Sequence, residues 1–271
     1  MHFVRRGNGA PALVFVHGYT CDHTDWKLQL EEFATTNDVV ACDLRGHGAT
    51  PAREHECSIE HYGGDVAALL ANLELQKAIL IGHSMGCRVV LEAARLDPER
   101  VRGVVLIDGS RQASGDPDVA QQAARAAIAA AGGYAAWVEG LVIPMFLVPS
   151  AESQRILERA RRLPAAVGAS LRIAQMRWDA GQMDAALAAL RVPLLAIQST
   201  SINAQGKRVA LQERQSSPWL ELLKARVPNA QIEIVPGVGH FTQLEAAETV
   251  NRLIAEFAKT LPVQNLPRPT P

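Results

Sequence analysis

The five residues GHSMG, Gly82 to Gly86, constrain this chain more than any other stretch. They stand between KAILI, a short β-branched apolar run, and CRVVLEAARL, whose apolar residues recur at helical spacing. A G-x-S-x-G sequence at a strand-to-helix join is a nucleophile elbow. Its serine is held in a strained backbone conformation, and the glycines let the turn pass close to neighbouring elements. Ser84 then lies at a helix N-terminus, where free N–H groups favour negative charge. Such a turn needs a buried strand before it and a packed helix behind it.

The surrounding sequence repeats that alternation. PALVFVHG, NDVVACDLRGHG, KAILIGHS and VRGVVLIDGS each carry an apolar run suited to a strand buried on both faces, as in a parallel sheet. Between them Ile59, Tyr62, Val66, Leu69, Leu70 and Leu73 recur at three- and four-residue spacing behind a Ser58 cap, predicting a helix. The order β-α-β-α-β predicts an α/β fold with right-handed crossovers and ligand chemistry at the carboxyl ends of the strands. From about Asp116 to Leu190 strand runs give way to alanine-rich helical stretches; strands then resume with PLLAIQ and QIEIV, and a helix closes the pattern. The expectation is a mostly parallel central sheet flanked by helices. Residues 1–112 and 191–262 would form the core domain, 113–190 an inserted helical cap, and the proline-rich 263–271 a disordered tail.

Bulk composition narrows the partners. A chain of 271 residues that is 48% hydrophobic has ample material for a core, and a net charge of −1 gives no electrostatic reason to expect nucleic acid or an anionic membrane. The four cysteines, Cys21, Cys42, Cys57 and Cys87, are scattered and form no CxxC pair, which suits reduced thiols. No leader-like run opens the chain, and no apolar stretch approaches the roughly 20 residues needed to span a bilayer. The expected setting is cytoplasmic, with a small-molecule substrate and no nucleic-acid or membrane partner; the oligomeric state is not encoded legibly. GNG at Gly7 to Gly9 precedes its strand, whereas a dinucleotide fingerprint follows one. HECSIEH, His55 to His61, matches no metal-ligand spacing, so neither cofactor nor metal is expected.

Two further stretches carry chemistry. HGYTCDHTDW follows the strand PALVFV, and a turn there can aim the Tyr19 amide at a developing oxyanion, paired with the amide of Met85. His17 reads as a structural turn residue and Cys21 as a small packed one. His240, in IVPGVGHF, follows the last strand in a glycine-containing loop able to reach Ser84, whose hydroxyl needs a base to become a nucleophile.

Together His17-Gly18-Tyr19, DLRGHG (Asp43 to Gly48), GHSMG, VVLIDGS and Gly239-His240-Phe241 resemble the α/β-hydrolase superfamily over nearly the whole chain. The resemblance implies a capped, mostly parallel sheet, Ser84 as nucleophile, His240 as base, and the Tyr19 and Met85 amides as oxyanion hole. One departure stands out. Most members of this kind carry the acid of the triad in the loop corresponding to QSTSIN, yet no Asp or Glu occurs between Asp184 and Glu213. Asp108, ending the strand VVLIDGS, is the preferred substitute and Glu213 the runner-up; Asn203 or Ser199 would orient the histidine without charge. In the cap, Trp137, Met145, Phe146, Met176 and Trp178 are core residues or, for some, an apolar pocket lining.

The leading functional expectation is hydrolysis of a small, mostly apolar carboxylic ester or lactone through an acyl-enzyme. Serine at the elbow disfavours the Asp-nucleophile chemistries of this fold. Carbon–carbon bond hydrolysis of a diketone, cofactor-free oxygenation of a heteroaromatic, and a slow-turnover ligand receptor are the alternatives.

Overall fold

In a computed structural model, which describes residues 1–203 and 205–262, nine strands and eleven helices are present. The strands are β1 (Phe3–Arg6), β2 (Leu13–Val16), β3 (Val39–Cys42), β4 (Ala78–His83), β5 (Val101–Ile107), β6 (Leu194–Gln198), β7 (Thr200–Ile202), β8 (Arg208–Ala210) and β9 (Gln231–Ile234). The helices are α1 (Lys27–Phe33), α2 (Ile59–Asn72), α3 (Met85–Leu96), α4 (Pro117–Ala130), α5 (Tyr134–Val142), α6 (Ala151–Arg162), α7 (Ala165–Gly181), α8 (Met183–Ala189), α9 (Pro218–Arg226), α10 (Thr242–Glu245) and α11 (Ala247–Thr260).

Seven strands form one sheet in the order β1-β3-β2-β4-β5-β6-β9. All its pairings are parallel except that of β1 with β3. The α/β-hydrolase fold expected from the sequence is therefore the one observed. Period-2 alternation explains how the sheet is covered on both faces. Leu13, Phe15, Val39, Ala41, Ile79, Ile81, Val105 and Ile107 pack with α1 and α11 on one side. Their neighbours Val14, Val16, Val40, Cys42, Leu80, Val104 and Leu106 face the other way, toward α2, α3, α8 and α9.

Two elements escape the sequence reading. β1 is half-exposed and contains two arginines, so it lacks the apolar run that marks the inner strands. It is an edge strand, where charge is tolerated, and Arg5 pairs with Asp38 at 2.7 Å. QSTSIN is not simply a polar loop: it leaves β6 and forms the first arm of a separate hairpin, β7 with β8, with Asn203 Oδ1 accepting from the amides of Gln205 and Lys207 across the turn.

Helices α4–α8 fall between β5 and β6 in the chain. Several side chains tie them to the sheet-side elements. Arg88 of α3 forms a buried ion pair with Asp179 of α7, Arg159 of α6 reaches Asp22 and Asp25, and the Tyr19 hydroxyl donates to the Gly168 carbonyl at 2.7 Å. No single helix among the described residues is long and apolar enough to cross a membrane. The tail proposed for 263–271 lies outside the described residues.

Candidate active site

The elbow is built as its glycines require. Ser84 has φ 55° and ψ −112°, a strained conformation for a residue with a side chain. A Cβ on Gly82 would lie 2.3 Å from the Gly86 carbonyl oxygen, and one on Gly86 2.3 Å from the Val16 carbonyl oxygen. Any side chain at either position would push the turn away from the sheet. The Ser84 amide donates to the Ile107 carbonyl of the adjacent strand at 2.9 Å, fixing the elbow against the strand that ends in Asp108. Ser84 is half-buried, so its hydroxyl remains reachable.

His240 meets Ser84 on one side and Asp108 on the other. Its Nε2 lies 2.7 Å from Ser84 Oγ, and its Nδ1 2.6 Å from Asp108 Oδ2. The loop is positioned by two backbone bonds: the His240 amide donates to the Met145 carbonyl at 2.7 Å, and the His83 ring donates from Nε2 to the His240 carbonyl at 2.9 Å. With Nδ1–H directed at the carboxylate, Nε2 is left as the acceptor for the serine proton.

Asp108 is fully buried and would be costly as a carboxylate without partners. The QSTSIN segment supplies them. The amides of Ser199 and Thr200 donate to Asp108 Oδ1 at 2.9 and 2.7 Å, the Thr200 hydroxyl donates to Oδ2, and Arg208 of β8 stands 3.3 Å from the same oxygen. Burial raises the Asp108 carboxyl, but the hydrogen bond and charge of His240, the charge of Arg208 and the Thr200 bond outweigh it, and the net shift is downward. His240 is pushed down to about 4, first by burial and then by the Arg208 charge, against the opposing pull of Asp108. The ring is therefore neutral near pH 7, as a base must be.

The remaining acid candidates lie elsewhere. Glu213 is exposed beyond β8. Asn203 caps its own hairpin turn. The Ser199 hydroxyl bonds the Gly239 carbonyl and Thr242 and makes no hydrogen bond to the His240 ring. Thr200, Arg208 and His83 went unnoticed in the sequence. The signal for the first two was there: TSI and RVA are short β-branched runs separated by a turn holding Asn203 and Gly206.

Met85 follows Ser84 within the elbow and Tyr19 follows Gly18, which packs against Ser84; neither backbone N–H donates to a backbone carbonyl among the turn and loop bonds of the described residues. His17 is a turn residue: its Nε2 accepts from the Leu44 amide, which leaves Nδ1–H to donate to the Gly18 carbonyl at 2.8 Å. Cys21 is buried, and burial pushes its thiol well up, so it is no nucleophile.

Of the proposed pocket residues, three surround the site. Phe146 stacks on Phe241 at 4.8 Å, Met145 receives the His240 amide, and Trp137 stands edge-on to the Tyr19 ring at 6.0 Å. Trp178 is fully buried in the core, and Met176 packs with Ala124 and Ile173 between α4 and α7. In HECSIEH, Cys57 is buried and His55 exposed. Elsewhere His2, His23 and Asp43 bring ligand atoms within 4.8 Å of one another, but both Asp43 oxygens already accept backbone N–H groups, from His23 and Ala49. That carboxylate is an anchor for the loops around it.

Known proteins share this architecture. Residues 13–253 match the model of the alpha/beta hydrolase family. The dihydrolipoyllysine-residue acetyltransferase component of the acetoin cleaving system from Pseudomonas putida is 28% identical over 253 residues, covering 93% of this chain and 65% of the relative. The chain thus spans less than two thirds of that relative's length. Among solved structures, a thermophilic esterase from Thermogutta terrifontis is 25% identical with a TM-score of 0.73, covering 95% of this chain and 92% of the other. The enol-lactonase from Burkholderia xenovorans LB400 is 22% identical with a TM-score of 0.76, covering 95% and 96%.

Proposed function

This chain belongs to the alpha/beta hydrolase family, and from that premise we propose that it is a serine hydrolase of small carboxylic esters or lactones working through an acyl-enzyme. The observation that carries the reading is the continuous hydrogen-bonded path from Ser84 Oγ through the His240 ring to Asp108, at 2.7 and 2.6 Å. His240 Nε2 takes the Ser84 proton as Oγ attacks the carbonyl carbon. The negative charge that gathers on the carbonyl oxygen is met by the Tyr19 and Met85 amides, whose help is greatest where charge develops. His240 returns the proton to the leaving alkoxide, the C–O bond breaks, and the acyl group stays on Ser84. A water molecule, deprotonated by the same nitrogen, then releases the acid and restores the serine. Asp108 holds Nδ1–H and stabilises the transient imidazolium. The helices α4–α8 act in this reading as a cap that shields the site from water, with Trp137, Met145 and Phe146 as its apolar lining. Similarity in fold to an esterase and an enol-lactonase agrees with this chemistry.

The test is kcat/KM on p-nitrophenyl acetate and butyrate. Ser84→Ala is expected to abolish turnover above background. Asp108→Asn, still folded, is expected to lose two orders of magnitude or more; loss of the acid in such triads is on the order of 10⁴. Near-wild-type activity in Asp108→Asn would remove Asp108 from the machinery. Absence of Ser84-dependent turnover would overturn the esterase reading, and metal-free oxygen uptake or tight binding without turnover would then identify the oxygenase or the receptor.

A further inference from the structure

One face of α7 is tied to two residues that adjoin the candidate site, Tyr19 and Arg88. Gly168, Arg172 and Asp179 recur at helical spacing on it, and both ends are anchored next to the elbow. At one end the Gly168 carbonyl accepts from the hydroxyl of Tyr19, the residue whose amide flanks the oxyanion position. At the other, Asp179 pairs with Arg88, whose guanidinium also donates to the carbonyl of Ser84 itself at 3.3 Å. Arg172 lies between these anchors.

Its surroundings are unlike those of the other arginines near the site. Arg88 has Asp179, Arg208 has Asp108, and Arg159 has Asp22 and Asp25. Arg172 has no carboxylate partner among the described residues. Its guanidinium donates one hydrogen bond, to Gln112 Oε1 at 2.6 Å, and lies over the face of Trp137 at 5.2 Å. Gln112 belongs to the loop that follows Asp108, and its own side chain donates to Ser110 Oγ. The cation is thus walled by the Trp137 ring and by the loop leaving β5, both already at the site. The Arg172 side chain is half-buried; burial pushes its guanidinium down to about 10, with the Arg88 charge acting the same way and Asp179 opposing it, and it stays protonated near pH 7. A neutral amide and an aromatic face leave most of its five donors unused, and a planar carboxylate fits that fork in two-point fashion.

We propose that Arg172 binds a free carboxylate on the acyl part of the substrate, so that the ester or lactone cleaved at Ser84 is a half-ester of a short dicarboxylic acid or its cyclic equivalent. This deepens the serine-hydrolase reading and rests on it for the position of the scissile bond. The ligand has an apolar body against Trp137 and Phe146 and an anionic end at Arg172. Gln112 is a positioning residue that holds the guanidinium toward the site.

The experiment compares 4-nitrophenyl hemiglutarate with 4-nitrophenyl valerate, which replaces the free carboxylate by a methyl group, using Ser84→Ala as the blank. Wild type is expected to favour the hemiglutarate at least tenfold in kcat/KM. In Arg172→Met the hemiglutarate value is expected to fall at least tenfold more than the valerate value; Arg172→Lys, which keeps the charge, retains part of the preference. Equal falls on both esters would make Arg172 a structural tether, and wild type that cleaves both esters without a preference would overturn the proposal outright. A second measurement does not depend on turnover: calorimetric binding of glutarate to Ser84→Ala, repeated in Ser84→Ala/Arg172→Met. At least tenfold weaker binding in the double variant supports the carboxylate site even if neither ester is cleaved, an outcome that would sink the hydrolase reading alone. Equal binding, or none in Ser84→Ala, overturns the site.

Discussion

Asp108 is where the chain departs most from the pattern of the proteins it resembles, and it is closely supported by hydrogen bonds. The sequence shows that the usual loop lacks a carboxylate, and the structure shows what that loop does instead: it turns two amides and a hydroxyl toward a carboxylate at the end of the neighbouring strand β5. Ser84 and His240 are legible as candidates because their positions follow from local glycine-bearing turns. Arg208 is harder to place: RVA reads as a short strand, but that its side chain returns to the site depends on the β7–β8 pairing, which local sequence does not show. Its charge sits beside Asp108 and, after burial, is the largest influence lowering His240. A base with a folded-state pKa of about 4 should keep kcat/KM on a neutral ester level through the range in which an ordinary histidine titrates, with the acid limb near pH 4. In Arg208→Met that charge is gone, His240 binds its proton more readily, and the acid limb should move to higher pH. A pH profile of kcat/KM on p-nitrophenyl butyrate reads this directly. An unmoved limb would mean that Arg208 serves only the hairpin.

The inner strands and α2 announce themselves by period and capping, and Ser58 does accept from the His61 amide as a cap should. α7 is harder to read. Its sequence is rich in alanine and buries residues around much of its circumference, so no single apolar stripe reveals which face meets the sheet-side helices. That face is marked by polar residues, Arg172 and Asp179, whose partners are distant in sequence. The Arg88–Asp179 pair is almost wholly buried, with side chains 1% and 0% exposed, and spans 91 residues. Removing one member of a buried pair leaves the other charged and unmatched, at a cost of about 3–5 kcal/mol. Asp179→Asn keeps the shape and some of the hydrogen bonding, so the lower end applies: about 3 kcal/mol, or roughly 6–12 °C in Tm for a chain this long. Glu256→Gln, in an exposed pair with Arg252, should leave Tm unchanged within error. Calorimetry on both variants checks the contrast. Equal effects would show that α7 is not held by this pair.

Across the whole molecule, the sheet's two cores are legible because alternate residues of each strand go to opposite faces, whereas the burial of four histidines is not, since a histidine carries no apolar signal. His17, His47, His83 and His240 are all buried, and burial is the main cause that pushes them down, to about 4, 3, 3 and 4. The hydrogen bonding agrees with neutral rings. His17 Nε2 accepts from an amide, while His47 Nε2 and His83 Nδ1 face no acceptor that an added proton could use. In the unfolded chain each ring has a pKa near 6.5, so between about 6.5 and 4 the unfolded state binds protons that the folded state refuses. A folded-state pKa below the unfolded value means stability that is full at higher pH and is lost as pH falls through this window. Each such ring contributes about 1.4 kcal/mol per pH unit there. The buried carboxylate Asp108 acts later: its pKa is also lowered, so its contribution is lost only below the usual carboxylate range, near pH 4. Unfolding monitored against denaturant at a series of pH values should therefore show stability dropping steeply from pH 6.5 to 4.5, with a slope matching uptake of several protons. His83→Asn should reduce that slope by about one proton, at a position that touches the His240 loop without donating to Ser84. A flat profile down to pH 4.5 would mean that these rings take up protons in the folded state, and with it the neutral His240 required by the proposed chemistry would be lost at mildly acid pH.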